Sequence, residues 1–168
     1  MLDGLDGVMN LAAASGEDLG LVSDIVTDAL SAFGMEAKQS SEFADLLAST
    51  ASNSNTNVAM MGESFKYVAP IAGALGYSAE DTALALGLLA NNGIKGSQAG
   101  TTLKNIMTGL SNPTKQSAVA MQSLGVEVAN ADGSMRPFKD VLGDLRSGFA
   151  ELTPEQQAST AEAIAGKQ

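Results

Sequence analysis

The stretch Ser78-Ala79-Glu80-Asp81-Thr82-Ala83-Leu84-Ala85-Leu86-Gly87-Leu88-Leu89-Ala90-Asn91-Asn92-Gly93-Ile94 decides the fold. It opens with a hydroxyl residue followed by two acids, the pattern that satisfies free N–H groups at a helix start. Leu84, Leu86, Leu88 and Leu89 make the helix apolar almost all round, which places it at the centre of the core. Gly93 then ends it in the left-handed conformation, with Ile94 as the apolar residue of a Schellman-type stop.

The same punctuation recurs on both sides. Ser15-Gly16-Glu17-Asp18 caps a helix with the stripe Leu19, Val22, Val26, Ala29, Leu30 and Phe33, and Gly34 stops it. Ser40 or Ser41 begins the next, with Phe43, Leu46, Leu47 and Thr50 on one face, before the polar loop Ser52 to Asn57. Val58, Met61, Phe65, Val68, Ala72 and Leu75 form a seam at helical spacing, which Pro70 should kink or interrupt and Gly76 should end. Ser97 is expected to cap a helix carrying Leu103, Ile106, Met107 and Leu110, and Asn112-Pro113 to restart the chain in a helix ending at Gly125.

Only between 126 and 136 does the period change. Val126-Glu127-Val128 alternates, Asn130-Ala131-Asp132-Gly133 is turn chemistry, and Ser134 to Arg136 is expected to return as the second strand of a β-hairpin. The stripe Phe138, Val141, Leu142, Leu145, Phe149 and Leu152 follows. Thr153-Pro154-Glu155-Gln156 then provides cap, proline and capping box for a last, weakly apolar helix. The expectation is an all-α bundle of eight to nine short helices with one small hairpin. Its segments are a partial leading helix at 1–15, a helical module at 16–152 and a C-terminal helix at 153–168 that continues in a longer protein.

Composition bounds what such a bundle can do. The 168 residues are 45% hydrophobic but only 4% aromatic, with no Trp, so Ala, Leu, Val, Ile and Met must build the core. Nineteen acidic against nine basic residues give a net charge of −10, which disfavours phosphate backbones and anionic membranes alike. Cys and His are both absent, removing disulfides, thiolate sites and the commonest general base. The start Met1-Leu2-Asp3-Gly4 is no signal peptide, and the apolar runs at 68–75 and 83–90 fall far short of the roughly 20 residues a membrane helix needs.

Four features could carry chemistry, and each has a plainer reading. Gly93-Ile94-Lys95-Gly96-Ser97-Gln98-Ala99-Gly100-Thr101 is glycine-rich, but its Lys precedes the second Gly and no strand leads in, so a tight interhelical turn is expected instead of a phosphate loop. The acidic pairs Glu17/Asp18 and Glu80/Asp81 sit in first helical turns, where the helix dipole favours them, and Asp140/Asp144 sit on a polar face. Asn130 to Ser134 lacks the later ligands of a calcium loop. Of the eight Met residues, Met61, Met107 and Met121 fall on core stripes, while Met9, Met35 and Met60 suit adaptable contact surface. No catalytic, cofactor-binding or metal-ligating residue is assigned, and no cofactor is expected.

The order of these blocks resembles the core region of phage tail tape measure proteins. Phe43-Ala44-Asp45-Leu46-Leu47-Ala48, Gly76-Tyr77-Ser78-Ala79-Glu80-Asp81-Thr82-Ala83 and Leu88 through Leu103 carry the likeness, followed by Leu110-Ser111-Asn112-Pro113, Leu124-Gly125-Val126 and the Asp132-Gly133 turn. The likeness runs from about Gly16 to the end, and the middle block is the most specific. The family's region has further helices before this start, and usually a Phe where Ala165 stands, so the chain is expected to be a piece of a longer protein. The resemblance implies a non-enzymatic scaffold that sets tail length and sits in the virion tail lumen, or in the host cytoplasm during assembly. It implies tail tube protein and tail assembly chaperones as partners.

Length refines that role: one continuous helix of 168 residues would reach about 250 Å, whereas a chain interrupted every 12 to 20 residues folds back into a body roughly 40 Å across. Self-association is expected if the Val58 to Leu75 seam is not filled within one chain. The competing readings are a generic helical adaptor binding through that seam and a carboxylate-based hydrolase.

Overall fold

The computed structural model describes residues 4–165, with side chains described to residue 164. The ends of the expected segments 1–15 and 153–168, and the Ala165 side chain, therefore lie partly outside the described residues. Among the described residues the chain forms nine α-helices: α1 Leu5–Ser15, α2 Leu19–Phe33, α3 Ser40–Asn53, α4 Val58–Leu75, α5 Ala79–Asn91, α6 Gly96–Ser111, α7 Lys115–Ser123, α8 Phe138–Ala150 and α9 Pro154–Ala165. A short 3-10 helix, Ala37–Gln39, leads into α3. The all-α expectation holds.

The helix starts follow the sequence signals closely. Asp18 caps α2, its carboxylate accepting from the N–H groups of Gly20 at 2.8 Å and Leu21 at 3.2 Å. Ser78 caps α5 by accepting from the Asp81 N–H at 3.0 Å. Thr153 and Gln156 close a reciprocal capping box at α9, with the Thr153 N–H donating to Gln156 Oε1 at 3.0 Å. At the end of α5, Gly93 has φ 86°, and the Ile94 N–H donates to the Leu89 carbonyl, the expected Schellman closure.

The chain resolves into two compact units, Met1–Lys104 and Asn105–Gln168, and the boundary falls inside α6. In the first unit the core is Val22 and Val26 of α2, Phe43 and Leu47 of α3, Met61, Phe65 and Val68 of α4, and Leu86 of α5, all essentially inaccessible. Phe65 is its hub, with ring centroids 5.3 Å from Phe43 and 6.1 Å from Phe33, both edge-on. In the second unit the core is smaller: Met107, Leu110, Met121, Val126, Phe138 and Val141.

Close helix approach explains why so few aromatics suffice. A side chain at Gly73 would strike the Ala32 carbonyl, one at Gly62 would strike Ile25, and one at Gly100 would strike the Ser64 carbonyl. The Ser64 hydroxyl, buried at that crossing, donates to the Gly96 carbonyl at 2.8 Å. Small residues let backbones touch, so dispersion between main chains replaces part of what large side chains would contribute.

Several expectations are corrected. The hairpin is reduced to one isolated antiparallel bridge, Ala129 to Met135, and no strand forms among the described residues. Its arms are too short for a free-standing ladder, and Pro137 immediately turns the chain into α8. Pro70 does not interrupt α4, which runs unbroken through it to Leu75. It lies on the exposed side, so the carbonyl four residues earlier, left without its helical donor, can face water. The cap after Pro113 is Thr114, which accepts from the Ser117 N–H at 3.1 Å, rather than Asn112. Helix α6 begins at Gly96, one residue before the Ser97 expected to cap it.

Helix α5 departs most from its sequence reading. Its buried face is Ala79, Thr82, Ala83, Leu86 and Ala90, while Leu84 is 46% and Leu88 47% exposed. A helix apolar on every side has no pattern to choose its inward face. Here the small residues point inward, where neighbouring helices come close, and two leucines are left outside.

Candidate functional site

The acidic pairs are distributed and do not converge. Asp18 is consumed by the α2 cap. Glu80 and Asp81 occupy the first turn of α5 behind Ser78. Asp140 lies in the first turn of α8, and Asp144 one turn on is engaged by Arg136, Nη1 to Oδ2 at 2.7 Å. Among the described residues no group of three potential metal ligands comes together.

Arg136, read from sequence only as the end of a hairpin strand, organises the segment before α8. Its Nη1 donates both to Asp144 and to the Glu127 carbonyl at 2.6 Å, while its backbone N–H donates to the Val128 carbonyl at 3.0 Å. The Asp144 hydrogen bond holds the guanidinium above its ordinary value, partial desolvation opposes it, and the carboxylates of Asp144, Asp140 and Glu127 add to it. The only signal for this in sequence is an arginine placed eight residues before an aspartate in an acidic region.

The turn that superficially resembles a calcium loop uses its own oxygens. Asp132 Oδ1 accepts from the Ser134 N–H at 2.9 Å and the Ser134 hydroxyl at 2.6 Å. Those two bonds hold the Asp132 carboxyl below the ordinary carboxylate range. Likewise the glycine-rich 93–101 stretch is a helix-to-helix turn, with Gly93 and Gly96 both at positive φ and Ala99 and Gly100 already buried in α6.

One tyrosine stands apart. Tyr77, in the turn between α4 and α5, is 4% exposed, and burial followed by the nearby Asp81 carboxylate pushes its hydroxyl up. Met61, Met107 and Met121 are buried as expected, and Met9 and Met60 are 48% and 41% exposed.

Hollows mark the surface of the first unit among the described residues. One, of about 480 Å³, lies along α2 and α4 between Leu21, Asp24, Asp28, Glu63, Lys66 and Pro70. A second, of about 390 Å³, runs between α3 and α5, lined by Leu46, Thr50, Asn53, Glu80, Leu84 and Leu88. A third, of about 210 Å³, includes Met35, Glu42, Tyr77 and Glu80, so Glu80 borders both of the last two. The seam from Val58 to Leu75, expected as an exposed contact surface by the adaptor reading, is instead buried at Val58, Met61, Phe65, Val68 and Ala72, with Leu75 half-buried.

Of the acids singled out from sequence, Asp18 serves a cap, Asp132 a turn and Asp144 an ion pair. These side chains sit on an all-helical module. The chain belongs to the family of phage-related minor tail proteins, which it matches over residues 1–166. It is 41% identical over 157 residues to a tape measure protein of Pneumococcus phage Dp-1, covering 94% of this chain and 14% of that protein. It is 28% identical over 162 residues to a probable tape measure protein of Escherichia phage P2, covering 95% of this chain and 20% of that protein. No solved structure matches it. The resemblance to tape measure proteins read from the sequence is thereby upheld. No helix among the described residues is long and apolar enough to cross a membrane.

Proposed function

We propose that the chain is the folded core module of a tail tape measure protein, a non-enzymatic scaffold for tube assembly within the tail lumen. The observation that carries this reading is the 41% identity spread over 94% of the chain to a protein named for that role. Its partners are the tail tube protein and tail assembly chaperones, met in the host cytoplasm during assembly, and it binds no nucleic acid directly, consistent with the net charge of −10.

Measuring itself falls to other parts of the longer protein. The longest helix here, α4, has 18 residues and spans about 27 Å at 1.5 Å per residue, too short to act as a rod. Within the first unit the helices fold back on one another instead, and a core of small residues lets the module loosen inside a narrow tube.

The test is an in-frame deletion of this segment from the full-length phage protein, with tails counted and measured by electron microscopy. A module needed for assembly gives few or no tails. Normal numbers of tails shortened by roughly 250 Å, the length of the segment as one helix, would assign it to the ruler and overturn the proposal. Normal numbers at normal length would remove it from assembly altogether.

A further inference from the structure

Leu84 and Leu88 lie one turn apart on α5, each nearly half exposed, and face Leu46 and Thr50 of α3 across the 390 Å³ groove. Gly87 lies between the two leucines and is buried, with the direction of its missing side chain occupied by Ser54 Oγ at 2.8 Å and Thr50 Cγ2 at 3.3 Å. The two helices therefore pack closely beneath the groove, which has an apolar middle and a firm floor. Single exposed leucines are ordinary; a contiguous concave set with an i, i+4 ridge is the geometry that accepts another helix.

The ends of the groove differ. At one end Glu80 borders it and shares the adjoining hollow with Glu42. The Glu42 carboxylate accepts from Gln39 Nε2 at 3.4 Å, and among the described residues no cation lines that hollow. At the other end the walls are the neutral amides Asn53 and Asn91, and Asn91 Oδ1 accepts from the Asn55 N–H at 2.8 Å. Glu80 to Asn91 measures about 17 Å along α5, or three helical turns.

We propose that this groove docks an amphipathic helix of about three turns from a partner protein, its apolar ridge seated on Leu46, Leu84 and Leu88 and a Lys or Arg placed against Glu80 and Glu42. Charge selects the occupant. A second copy of this chain would bring another net charge of −10, and the same two carboxylates, onto the acidic end. A basic helix gains there what a second copy loses. The inference stands on the groove alone and is independent of the tail assignment.

The experiment uses the 168-residue chain and a fluorescein-labelled, end-blocked 14-residue helical peptide with leucines at i, i+3, i+4 and i+7 and lysines at both ends. A matched peptide with every Lys replaced by Glu serves as comparison, and both are titrated by anisotropy at 50 and 300 mM salt. The Lys peptide is expected to bind in the micromolar range, at least tenfold tighter than the Glu peptide, and more weakly at high salt. Leu84→Ser with Leu88→Ser should lower its affinity at least tenfold with the circular dichroism spectrum unchanged, because neither leucine is buried. Glu42→Gln with Glu80→Gln should remove most of the Lys-over-Glu preference and leave apolar binding in place. Equal affinity for the two peptides overturns the proposal, as does indifference to the leucine substitutions. A dimer of the unmodified chain in light scattering, abolished by Leu88→Ser, would give the groove to a second copy and overturn it as well.

Discussion

Phe65 is where two aromatic contacts, the α4 seam and the inner faces of α2 and α3 meet, at 2% exposure. With so few aromatics in the chain, truncation there cannot be absorbed by neighbours. Phe65→Ala is expected to cost about 3–5 kcal/mol, measured by urea unfolding of the first unit. Glycines provide a sharper contrast. Gly109 in α6 has open space where a side chain would go, so Gly109→Ala should stabilise by about 0.5–1 kcal/mol. Gly73→Ala drives a methyl into the Ala32 backbone carbonyl and should destabilise by about 1–3 kcal/mol. Opposite signs in thermal melts of the two variants would verify the close α2–α4 crossing. Asp132 offers a pH signature. Its folded pKa is lowered by Ser134, so its contribution is fully present above the unfolded carboxylate value of about 3.9 and is lost as pH falls through the lower folded value. Carbon-detected NMR should find it titrating below the free-peptide value, and Ser134→Ala should return it toward that value.

At the scale of elements, caps were the most legible features because they are local. Asp18, Ser78 and Thr153 each satisfy N–H groups two or three residues away, so a four-residue window contains all the physics. The hairpin reading failed because alternation at 126–128 is equally the pattern of a short extended connection, and a ladder needs more residues on each arm than this segment has. Pro70 leaves α4 uninterrupted because the damage a proline does depends on whether its orphaned carbonyl can reach water, which sequence does not state. In α5 the apolar surplus hid the choice of face, and with it the groove. Leu86→Ala should therefore cost about 2–5 kcal/mol, while Leu84→Ala and Leu88→Ala should stay within about 0.5 kcal/mol of the unmodified chain in equilibrium unfolding. Equal costs at all three positions would contradict the orientation of this helix. The Arg136–Asp144 contact was invisible for a related reason: the pair is assembled by the turn between them, not by helical spacing.

Over the whole molecule, the two units differ in what holds them. The first has three packed phenylalanines and several backbone-close crossings, and the second rests on Met107, Leu110, Met121, Val126, Phe138 and Val141, with most of α8 and α9 only half-buried or exposed. Opening free energies scale with buried contacts, so amides of α8 and α9 should exchange with deuterium faster than those of α2 and α4. Slower exchange in α8 and α9 would reverse that ranking. A division inside a continuous helix could not be read from sequence, since α6 shows one uninterrupted stripe from Leu103 to Leu110 and only the surrounding elements separate.

The placement of the tyrosines bears on how such a molecule can be watched. There is no Trp, and both tyrosines, Tyr67 and Tyr77, fall within the first unit, one 41% exposed and the other buried with its hydroxyl pushed up. Tyrosine emission thus reports from one unit only. Alkaline difference spectra would show the Tyr77 phenol ionising late, and early only when the α4–α5 turn has come apart.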